Sequence, residues 1–429
     1  MNGPVILVTI DTLRADRFTE GCFPESMDII KSDFANFKNA YSHGNATPLA
    51  FPGIIAGHPA IGDGKFPDRV PTIASLFSHS SGFSNNGYLS EYRGYNRGFG
   101  LFHDQHPPDY DPDSDKGLSK AITERVLDVF RSFDQIRESG LAKRGYRSLN
   151  RVGSIIKGGD IFELEMPAWS GEDVTEFILR RVRAGDEFVW GHYMDAHKPF
   201  IPMEGVDAPS TNRSPEEIRE LNSYDHEKDP LSGQDMDLLE RLYESNIRYC
   251  DKKICDLIEE LKEMGCYDEA LIIITGDHGE LFGEHGYMFH PMDIDPVDEL
   301  IEVPLVVKYP DEHNGEQIDY PVQHRDIIKT IQDTIDGNSE TIADNTYHLN
   351  NSTSRTIISK SNTAIRVTEA DGTGIRRRDG TVEYSGKISK TGKEVLKSAS
   401  FPAVKTSSGE VKGVEELERQ EQLEALGYR

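Results

Sequence analysis

The sequence LIIITGDHGELFGEHGYMFH, from Leu271 to His290, joins a short apolar run to an acidic and histidine-rich turn. Four consecutive apolar residues, Leu271 to Ile274, are typical of a strand that is buried on both faces, as in a parallel sheet. Asp277 and His278 follow at its carboxyl end, where the ligand crevice of an open α/β sheet lies. An adjacent aspartate and histidine can both bind one divalent cation. The alternative is a polar loop with incidental histidines, and this stretch alone does not decide between them.

Two other segments predict buried strands that end in the same way. Val5 to Ile10 (VILVTI) is followed by Asp11, and Glu187 to Tyr193 (EFVWGHY) leads into the polar run MDAHKPF. Since the carboxyl ends of parallel strands meet at one edge of a sheet, their polar residues should lie close together. At the end of the second segment these are His192, Asp195 and His197.

The pattern along the chain predicts an α/β fold. Apolar residues recur at helical spacing between Leu239 and Leu261, and Val303 to Val307 is a fourth strand candidate. Strands that alternate with helices indicate a doubly wound, mostly parallel sheet flanked by helices.

Two regions depart from this alternation. Residues 109–170 are polar and irregular and are interpreted as an insertion within a domain that spans residues 1–340. Residues 341–429 carry the turn signals Asp371-Gly372 and Asp379-Gly380 and a last helical run from Val414 to Leu426. They predict a small C-terminal antiparallel α+β subdomain.

Composition limits the functional classes. With 74 acidic against 47 basic residues the net charge is -27, which argues against nucleic acid as a partner. Acidity spread along the chain is typical of proteins from extreme halophiles, and an ordinary acidic cytosolic protein is the alternative.

We expect no integral membrane segment, because no apolar run is long enough. The four cysteines form no CxxC pair and the N-terminus lacks a signal peptide, so a cytoplasmic location is predicted.

Thr47 and Pro48 precede a short apolar stretch that ends at Gly57. This pattern predicts a helix that begins near Thr47. One interpretation is that the threonine only caps the helix. The other is that its hydroxyl faces a metal ion while the helix N-terminus attracts an oxyanion.

Six sequence blocks resemble those of the sulfatase family of the alkaline phosphatase superfamily, in the family's order. They cover most of the chain and read DTLRAD (11–16), FKNAYSHG (37–44), HYMDAHKPF (192–200), TGDHGELFGEHG (275–286), DELIEVPLVVKYP (298–310) and LEALGYR (423–429). The resemblance implies an alkaline phosphatase-like fold, with residues 1–340 as the catalytic domain. It also implies one divalent metal ion whose protein ligands are Asp11, Thr47, Asp277 and His278.

The resemblance also assigns roles in catalysis. Thr47 occupies the position of the nucleophile, where sulfatases have the cysteine or serine that becomes formylglycine. His197 matches the histidine that contacts the scissile ester, and His290 stands where relatives carry an active-site lysine. Relatives with only oxygen ligands hold Ca²⁺, whereas His278 as a ligand favours Mn²⁺ or Zn²⁺.

Several positions depart from the family pattern. Threonine cannot become formylglycine, because its extra methyl group would yield a ketone. Phe51 replaces the arginine expected four residues after the nucleophile, Thr12 replaces a second acid, and GYLSEYRG (87–94) lacks an expected lysine and histidine.

The leading hypothesis is a metal-dependent hydrolase of a sulfate or phosphate ester of a small molecule or carbohydrate. The alternatives are a phosphodiesterase, phosphonate hydrolase or phospho-group transferase of the same superfamily, and a catalytically silent member that binds glycans.

Overall fold

The computed structural model describes residues 3–58, 66, 70–104, 170–222, 231–313, 315–337 and 355–402. Its strands are β1 (Val5–Ile10), β2 (Ala35–Phe37), β3 (Ala40–Tyr41), β4 (Ser80–Phe83), β5 (Leu101–His103), β6 (Phe188–Tyr193), β7 (Leu271–Gly276), β8 (Leu281–Phe282), β9 (Met288–Phe289), β10 (Leu305–Lys308), β11 (Gln317–Ile318), β12 (Val322–Gln323), β13 (Ile357–Lys360), β14 (Ala364–Glu369), β15 (Gly372–Arg377) and β16 (Val382–Gly386).

Eight of these strands form the central sheet, in the order β11-β2-β10-β7-β1-β6-β4-β5. The five strands from β7 to β5 are parallel to one another, whereas β10 runs antiparallel to both β7 and β2. The prediction of a mostly parallel α/β sheet is confirmed. The strand expected at Val303 to Val307 is also present, as β10, but it runs in the reverse direction.

The register brings three strand ends to the same level. Ile10 of β1 lies opposite Gly276 of β7 on one side and Tyr193 of β6 on the other. The ladder continues for one residue, because the Asp11 amide donates to the Tyr193 carbonyl at 2.9 Å and the Asp277 amide donates to the Ile10 carbonyl at 3.2 Å. Asp11 and Asp277 are therefore fixed side by side by backbone hydrogen bonds.

Helices cover both faces of the sheet. Alternate residues of β1 point into two separate cores: Ile6 and Val8 pack with the helix Gly233–Glu263, and Val5 and Leu7 with the helix Thr47–Ala56.

None of the helices in the described ranges combines the length and apolarity needed to cross a bilayer. The α-helices are Met27–Asp33, Thr47–Ala56, Gly171–Arg183, Pro215–Asn222, Gly233–Glu263, Asp298–Ile301, Asp326–Ile335 and Lys390–Ser398, and the 3-10 helices are Ala15–Arg17, Ile73–Leu76, Gly87–Leu89, Glu91–Arg93 and Glu284–Gly286.

The C-terminal part contains the predicted antiparallel sheet. Strands β13 to β16 pair in sequence order, and the helix Lys390–Ser398 packs on β14 through Leu396. The two predicted turns lie between β14 and β15 and between β15 and β16. The helix expected from Val414 to Leu426 and the insertion expected at 109–170, except for Ser170, lie outside the described residues.

A partly buried ion pair fixes β4 against the neighbouring helix. Arg181 of the helix Gly171–Arg183 donates to both carboxylate oxygens of Asp186, at 2.9 and 2.8 Å, and Ser81 of β4 donates to the same carboxylate. Burial alone would raise the pKa of Asp186, but the hydrogen bonds from Arg181 and Ser81 hold it below its usual value.

We expect Asp186→Asn to lower the free energy of unfolding at pH 7 by about 1.5–3 kcal/mol, the usual contribution of hydrogen bonds to a charged group. Because the folded-state pKa is lowered, this stabilisation is present above the unfolded pKa of about 3.9 and is lost as the pH falls through the folded value. Urea titrations of both proteins at several pH values measure the difference, which should shrink in acid.

Asp237→Asn is the matched control for that prediction. Asp237 forms an exposed pair with Arg241 one helical turn away, so the substitution should cost less than about 0.5 kcal/mol. Equal effects of the two substitutions would show that the Asp186 pair does not stabilise the sheet.

Candidate active site

Thr47 begins the nearest helix to the ends of β1 and β7 but does not cap it. The N-cap is Ala46, whose backbone is extended (φ -159°, ψ 158°), and no side-chain hydrogen bond caps the helix. The alternative interpretation of Thr47 as a capping residue is therefore wrong. Pro48 stands in the first turn, where its missing amide hydrogen costs no helical hydrogen bond.

The Thr47 hydroxyl instead faces polar groups from the strand ends. Its Oγ1 lies 3.2 Å from His278 Nε2 and 3.5 Å from Asp11 Oδ2, and it accepts a hydrogen bond from Asn86 Nδ2 at 3.2 Å. Thr47 is only 4% exposed, so this small cluster is closed off from bulk solvent on most sides. Three separate segments thus converge on one hydroxyl.

The acidic members of the cluster have the arrangement of metal ligands. One ligand atom from each of Asp11, Asp277 and His278 lies within 4.8 Å of the other two, and all three side chains are fully buried. His278 Nε2 is 3.7 Å from Asp11 Oδ1 and 3.6 Å from Asp277 Oδ2. Neither of these oxygens has a hydrogen-bond partner among the described residues. Since buried carboxylate oxygens are almost always hydrogen-bonded, these residues fit a divalent cation.

The two carboxylates differ in their electrostatic surroundings. Burial would raise the pKa of Asp11, but His197, His192 and His278 hold it well below its usual value. Burial raises the pKa of Asp277 well above its usual value, and the charge of Asp11 raises it further. Two adjacent buried carboxylates cannot both ionise without a compensating charge, and a cation between them would supply that charge.

A chain of three hydrogen bonds, which begins at Trp190, holds the Asp11 carboxylate in its orientation. Trp190 Nε1 donates to Thr9 Oγ1 at 2.9 Å, Thr9 Oγ1 lies 2.9 Å from His192 Nδ1, and His192 Nε2 lies 3.0 Å from Asp11 Oδ2. An ionised carboxylate only accepts hydrogen bonds, so His192 carries its hydrogen on Nε2 and accepts from the Thr9 hydroxyl at Nδ1. The ring of Phe51 packs edge-on against His192 at 5.0 Å.

Asn86 contacts both Asp11 and Thr47. Its Nδ2 donates to Asp11 Oδ2 at 2.7 Å as well as to Thr47, while its Oδ1 accepts from the Tyr88 amide at 2.9 Å. The Tyr88 contact fixes the orientation of the amide, because only the oxygen can accept that hydrogen. Asn86 therefore presents its NH₂ group to both the threonine and the carboxylate.

A second group of side chains borders the first. The His290 ring lies 4.7 Å from the His278 ring and 5.1 Å from the His197 ring. Glu280, which is fully buried, lies 2.9 Å from His290 through Oε1, and burial raises its pKa to about 7. Burial likewise lowers the pKa of His197 to about 4, so that its imidazole is neutral at neutral pH.

The six residues to which the sequence assigned a metal-binding or catalytic role lie in these two groups: Asp11, Thr47, His197, Asp277, His278 and His290. Asp195 does not join them, since its carboxylate accepts from the Gly171 amide at 3.0 Å. Sequence reasoning missed Asn86 and gave no role to Glu280. Asn86 follows the strand Ser80–Phe83, whose composition SSGF lacks the apolar run that identified the other strand ends.

Comparison with known proteins gives partial sequence relatives. The choline-sulfatase of Rhizobium meliloti (strain 1021) is 27% identical over 144 residues, which are 34% of this chain and 27% of that protein. The match thus spans only about a quarter of the length of the curated relative.

Solved structures match over nearly the whole chain. The phosphonate monoester hydrolase SpPMH from Silicibacter pomeroyi has a TM-score of 0.57 at 15% identity, over 100% of this chain and 96% of that chain. The phosphonate monoester hydrolase of Agrobacterium radiobacter has a TM-score of 0.58 at 15% identity, over 90% and 89% of the two chains. At this identity the likeness establishes the fold.

The match that identifies the family includes every residue of the cluster around Thr47. The sulfatase family model matches residues 4–337, from the first strand of the central sheet to the end of its last helix. The protein belongs to the sulfatase family.

Proposed function

We propose that the protein is a metal-dependent ester hydrolase in which Thr47 is the nucleophile, and that it acts on phosphorus esters in preference to sulfate esters. The position of the Thr47 hydroxyl carries this proposal. It does not cap its helix and lies within 3.5 Å of Asp11, Asn86 and His278. The sulfatase family and its named relatives support ester hydrolysis as the reaction type.

Members of the sulfatase family bind a divalent metal ion, and here the residues that would hold it are Asp11, Thr47, Asp277 and His278. Bound there, a divalent cation would lower the pKa of the Thr47 hydroxyl and offset charge on the nonbridging oxygens of the ester. The imidazole nitrogen favours Mn²⁺ or Zn²⁺, while Ca²⁺ is the expectation from relatives with only oxygen ligands.

Each of the other side chains has a separate role in the reaction. Thr47 Oγ1 attacks phosphorus in line with the leaving oxygen and forms a covalent ester. Asn86 donates a hydrogen bond to Oγ1 and so holds it in the attacking position. His197 and His290 lie together beyond His278, where one of them can exchange a proton with the leaving oxygen.

The identity of the nucleophile favours phosphorus over sulfur. A formylglycine hydrate can expel sulfate by collapsing to an aldehyde, but a threonine ester has no such route. Water, or an acceptor alcohol in the case of a transferase, must attack the ester directly. Phosphate esters, phosphodiesters and phosphonate monoesters are therefore preferred over sulfate esters as the substrate class. The two phosphonate monoester hydrolases of similar fold are consistent with that choice.

Asp277→Asn tests the metal site. The amide oxygen can still accept the hydrogen bonds from the Thr12 and His278 amides, but one of two anionic ligands is lost. We expect elemental analysis to show loss of the bound metal, because too little charge remains to desolvate a divalent ion. Asp195→Asn, a buried carboxylate outside the cluster, is the control. Full metal content in Asp277→Asn would refute the site.

His192→Phe tests the hydrogen-bond chain behind Asp11. The ring keeps its volume but loses the donor to Asp11, and we expect metal affinity to fall by about 10–100-fold, as for other partners of metal ligands. Isothermal titration with Mn²⁺ measures the change. His192→Gln, which can restore a donor, should recover part of the affinity. An unchanged affinity in the phenylalanine variant would mean that Asn86 alone orients Asp11.

Thr47 itself separates an enzyme from a binding protein. Thr47→Ala should lower kcat by more than about 10³-fold while much of the metal affinity stays, and Thr47→Ser should remain active. The substrates are the p-nitrophenyl esters of sulfate, phosphate and phenylphosphonate and bis(p-nitrophenyl) phosphate, with mass spectrometry to detect an ester on Thr47.

Three other results would change the assignment. Full activity in Thr47→Ala would eliminate the covalent mechanism. Product formation that depends on added glycerol would identify a phospho-group transferase. A wild-type protein inactive on all four esters across several metals and salt concentrations would favour the silent, glycan-binding alternative.

A further inference from the structure

The backbone just before the nucleophile, residues 42–45, is bound by the C-terminal sheet of β13 to β16. The amide of Lys360, the last residue of β13, donates to the His43 carbonyl at 2.8 Å. The Ser359 hydroxyl donates to the Ser42 carbonyl at 2.7 Å. The first strand of the C-terminal sheet therefore fixes the chain that leads into the helix Thr47–Ala56.

Asn45 joins this segment to a second part of the chain, the loop 291–297. The Asn45 side chain is fully buried, and its Nδ2 donates to the Pro291 carbonyl at 2.7 Å. Only Ala46 separates Asn45 from Thr47. Because a buried side chain with a short hydrogen bond has little freedom, Asn45 couples the position of the loop to that of the nucleophile.

The C-terminal sheet also holds the loop 291–297 itself. The Asn362 amide, just after β13, donates to the Met292 carbonyl at 2.8 Å. Arg377, the last residue of β15, donates from Nε to both carboxylate oxygens of Asp295, at 3.0 Å each. An arginine that makes several bonds to one carboxylate has a defined geometry. The sheet, the loop and the segment before the nucleophile are thus each joined to the other two.

The other three candidate metal ligands are positioned by a different part of the fold. Backbone hydrogen bonds of β1, β6 and β7 fix Asp11 and Asp277, and His278 follows directly. Thr47 lies on a helix outside these strands, so its hydroxyl meets the ligands only if the start of that helix is held in place. A displacement of roughly 1 Å from the attacking geometry can lower a rate by about 10²-fold.

We propose that Asn45 is a positioning residue for the nucleophile, through which the loop 291–297 and the C-terminal sheet set the position of Thr47. The inference rests on the proposed function, since the position of Thr47 affects the rate only if its hydroxyl attacks the ester. It gives the C-terminal sheet an influence on a reaction that the sequence assigned to residues 1–340.

Asn45→Ala removes the donor to Pro291. With Mn²⁺ bound and p-nitrophenyl phenylphosphonate as substrate, we expect kcat per folded protein to fall by about 10²-fold. KM and the affinity for Mn²⁺ should stay close to the wild-type values, because the strands still hold the other ligands. Urea titration gives the folded fraction. A lower urea midpoint with an unchanged kcat would show that Asn45 only stabilises the fold, and would overturn the inference.

Arg377→Glu tests the connection from the sheet, and it decides the question alone if Asn45→Ala does not fold. Arg377 is partly exposed, and a glutamate in its place would repel Asp295 and displace the loop. We expect kcat to fall several-fold at an unchanged KM, and to recover in part when Asp295→Arg is added. The double variant Asn45→Ala/Arg377→Glu should be no slower than Asn45→Ala, because the connection to Thr47 is already broken.

Arg183→Glu is the matched control. Arg183 also pairs with a carboxylate of a separate element, Glu260 at 2.7 Å, but on the surface between two helices. It should leave kcat and KM unchanged. An unchanged kcat in Arg377→Glu, no recovery with Asp295→Arg, or losses that multiply in the double variant would each overturn the inference.

The failures of the two proposals look different. An active wild type whose Asn45→Ala variant keeps full kcat would remove this inference and leave the proposed function standing. Loss of Mn²⁺ affinity together with activity in that variant would also overturn the inference, because Asn45 would then hold the whole metal site and not the nucleophile. A wild type inactive on all four esters would remove the proposed function and this inference together.

Discussion

The site depends on one constraint, which is that two carboxylates are held side by side in the interior of the protein. Backbone hydrogen bonds extend the register of β1, β6 and β7 to Asp11 and Asp277, so neither residue can move away without breaking the central sheet. Burial of two negative charges so close together is strongly unfavourable without a counter-charge. Hydrogen bonds from His192 and Asn86 to Asp11 offset part of that cost, and a divalent cation would supply the counter-charge.

The loop after β7 is held in place by close backbone contacts and by one arginine. A side chain at Gly279 would place its Cβ 1.9 Å from the Glu299 carbonyl oxygen, and Gly283 has a φ of +106°. Arg14, which follows β1, donates to the Glu280 carbonyl at 2.9 Å and to the Glu284 carboxylate at 2.7 Å. The arginine thus joins the loops that carry the two carboxylates, and it fixes the backbone of Glu280.

The sequence was informative wherever apolar runs were long. Four apolar residues before Asp277 and six residues in β1 identified buried strands, and their carboxyl ends located the candidate ligands. Asn86 could not be found in this way, because β4 is built from SSGF and is recognised by its pairing with β5 and β6. The reversal of β10 was also hidden, since an apolar run does not encode direction.

Other predictions concern the surroundings of the protein and the identity of its metal ion, which the positions of the residues do not determine. The acidity of the chain is compatible with a halophilic origin, but charge alone does not identify the solvent in which a protein works. The choice among Ca²⁺, Mn²⁺ and Zn²⁺ depends on ligand preferences that overlap for an Asp and His donor set. The halophilic origin, the cytoplasmic location, the domain boundary at residue 340 and the metal identity therefore stay predictions.

Phe51 bears on the charge that the site can offer to a substrate. It stands where the resemblance to sulfatases implies an arginine, yet its ring is fully buried and packs against Trp190 at 5.5 Å and His192 at 5.0 Å. An apolar ring at this position cannot neutralise a substrate oxygen, but it can shield the hydrogen bond between His192 and Asp11 from water. Under the proposed function, charge on the substrate must then be met by the metal ion, because Asn86 already donates to Asp11 and Thr47. Such a site suits singly charged phosphodiesters and phosphonate monoesters better than doubly charged phosphate monoesters, and the threonine nucleophile independently favours phosphorus over sulfur.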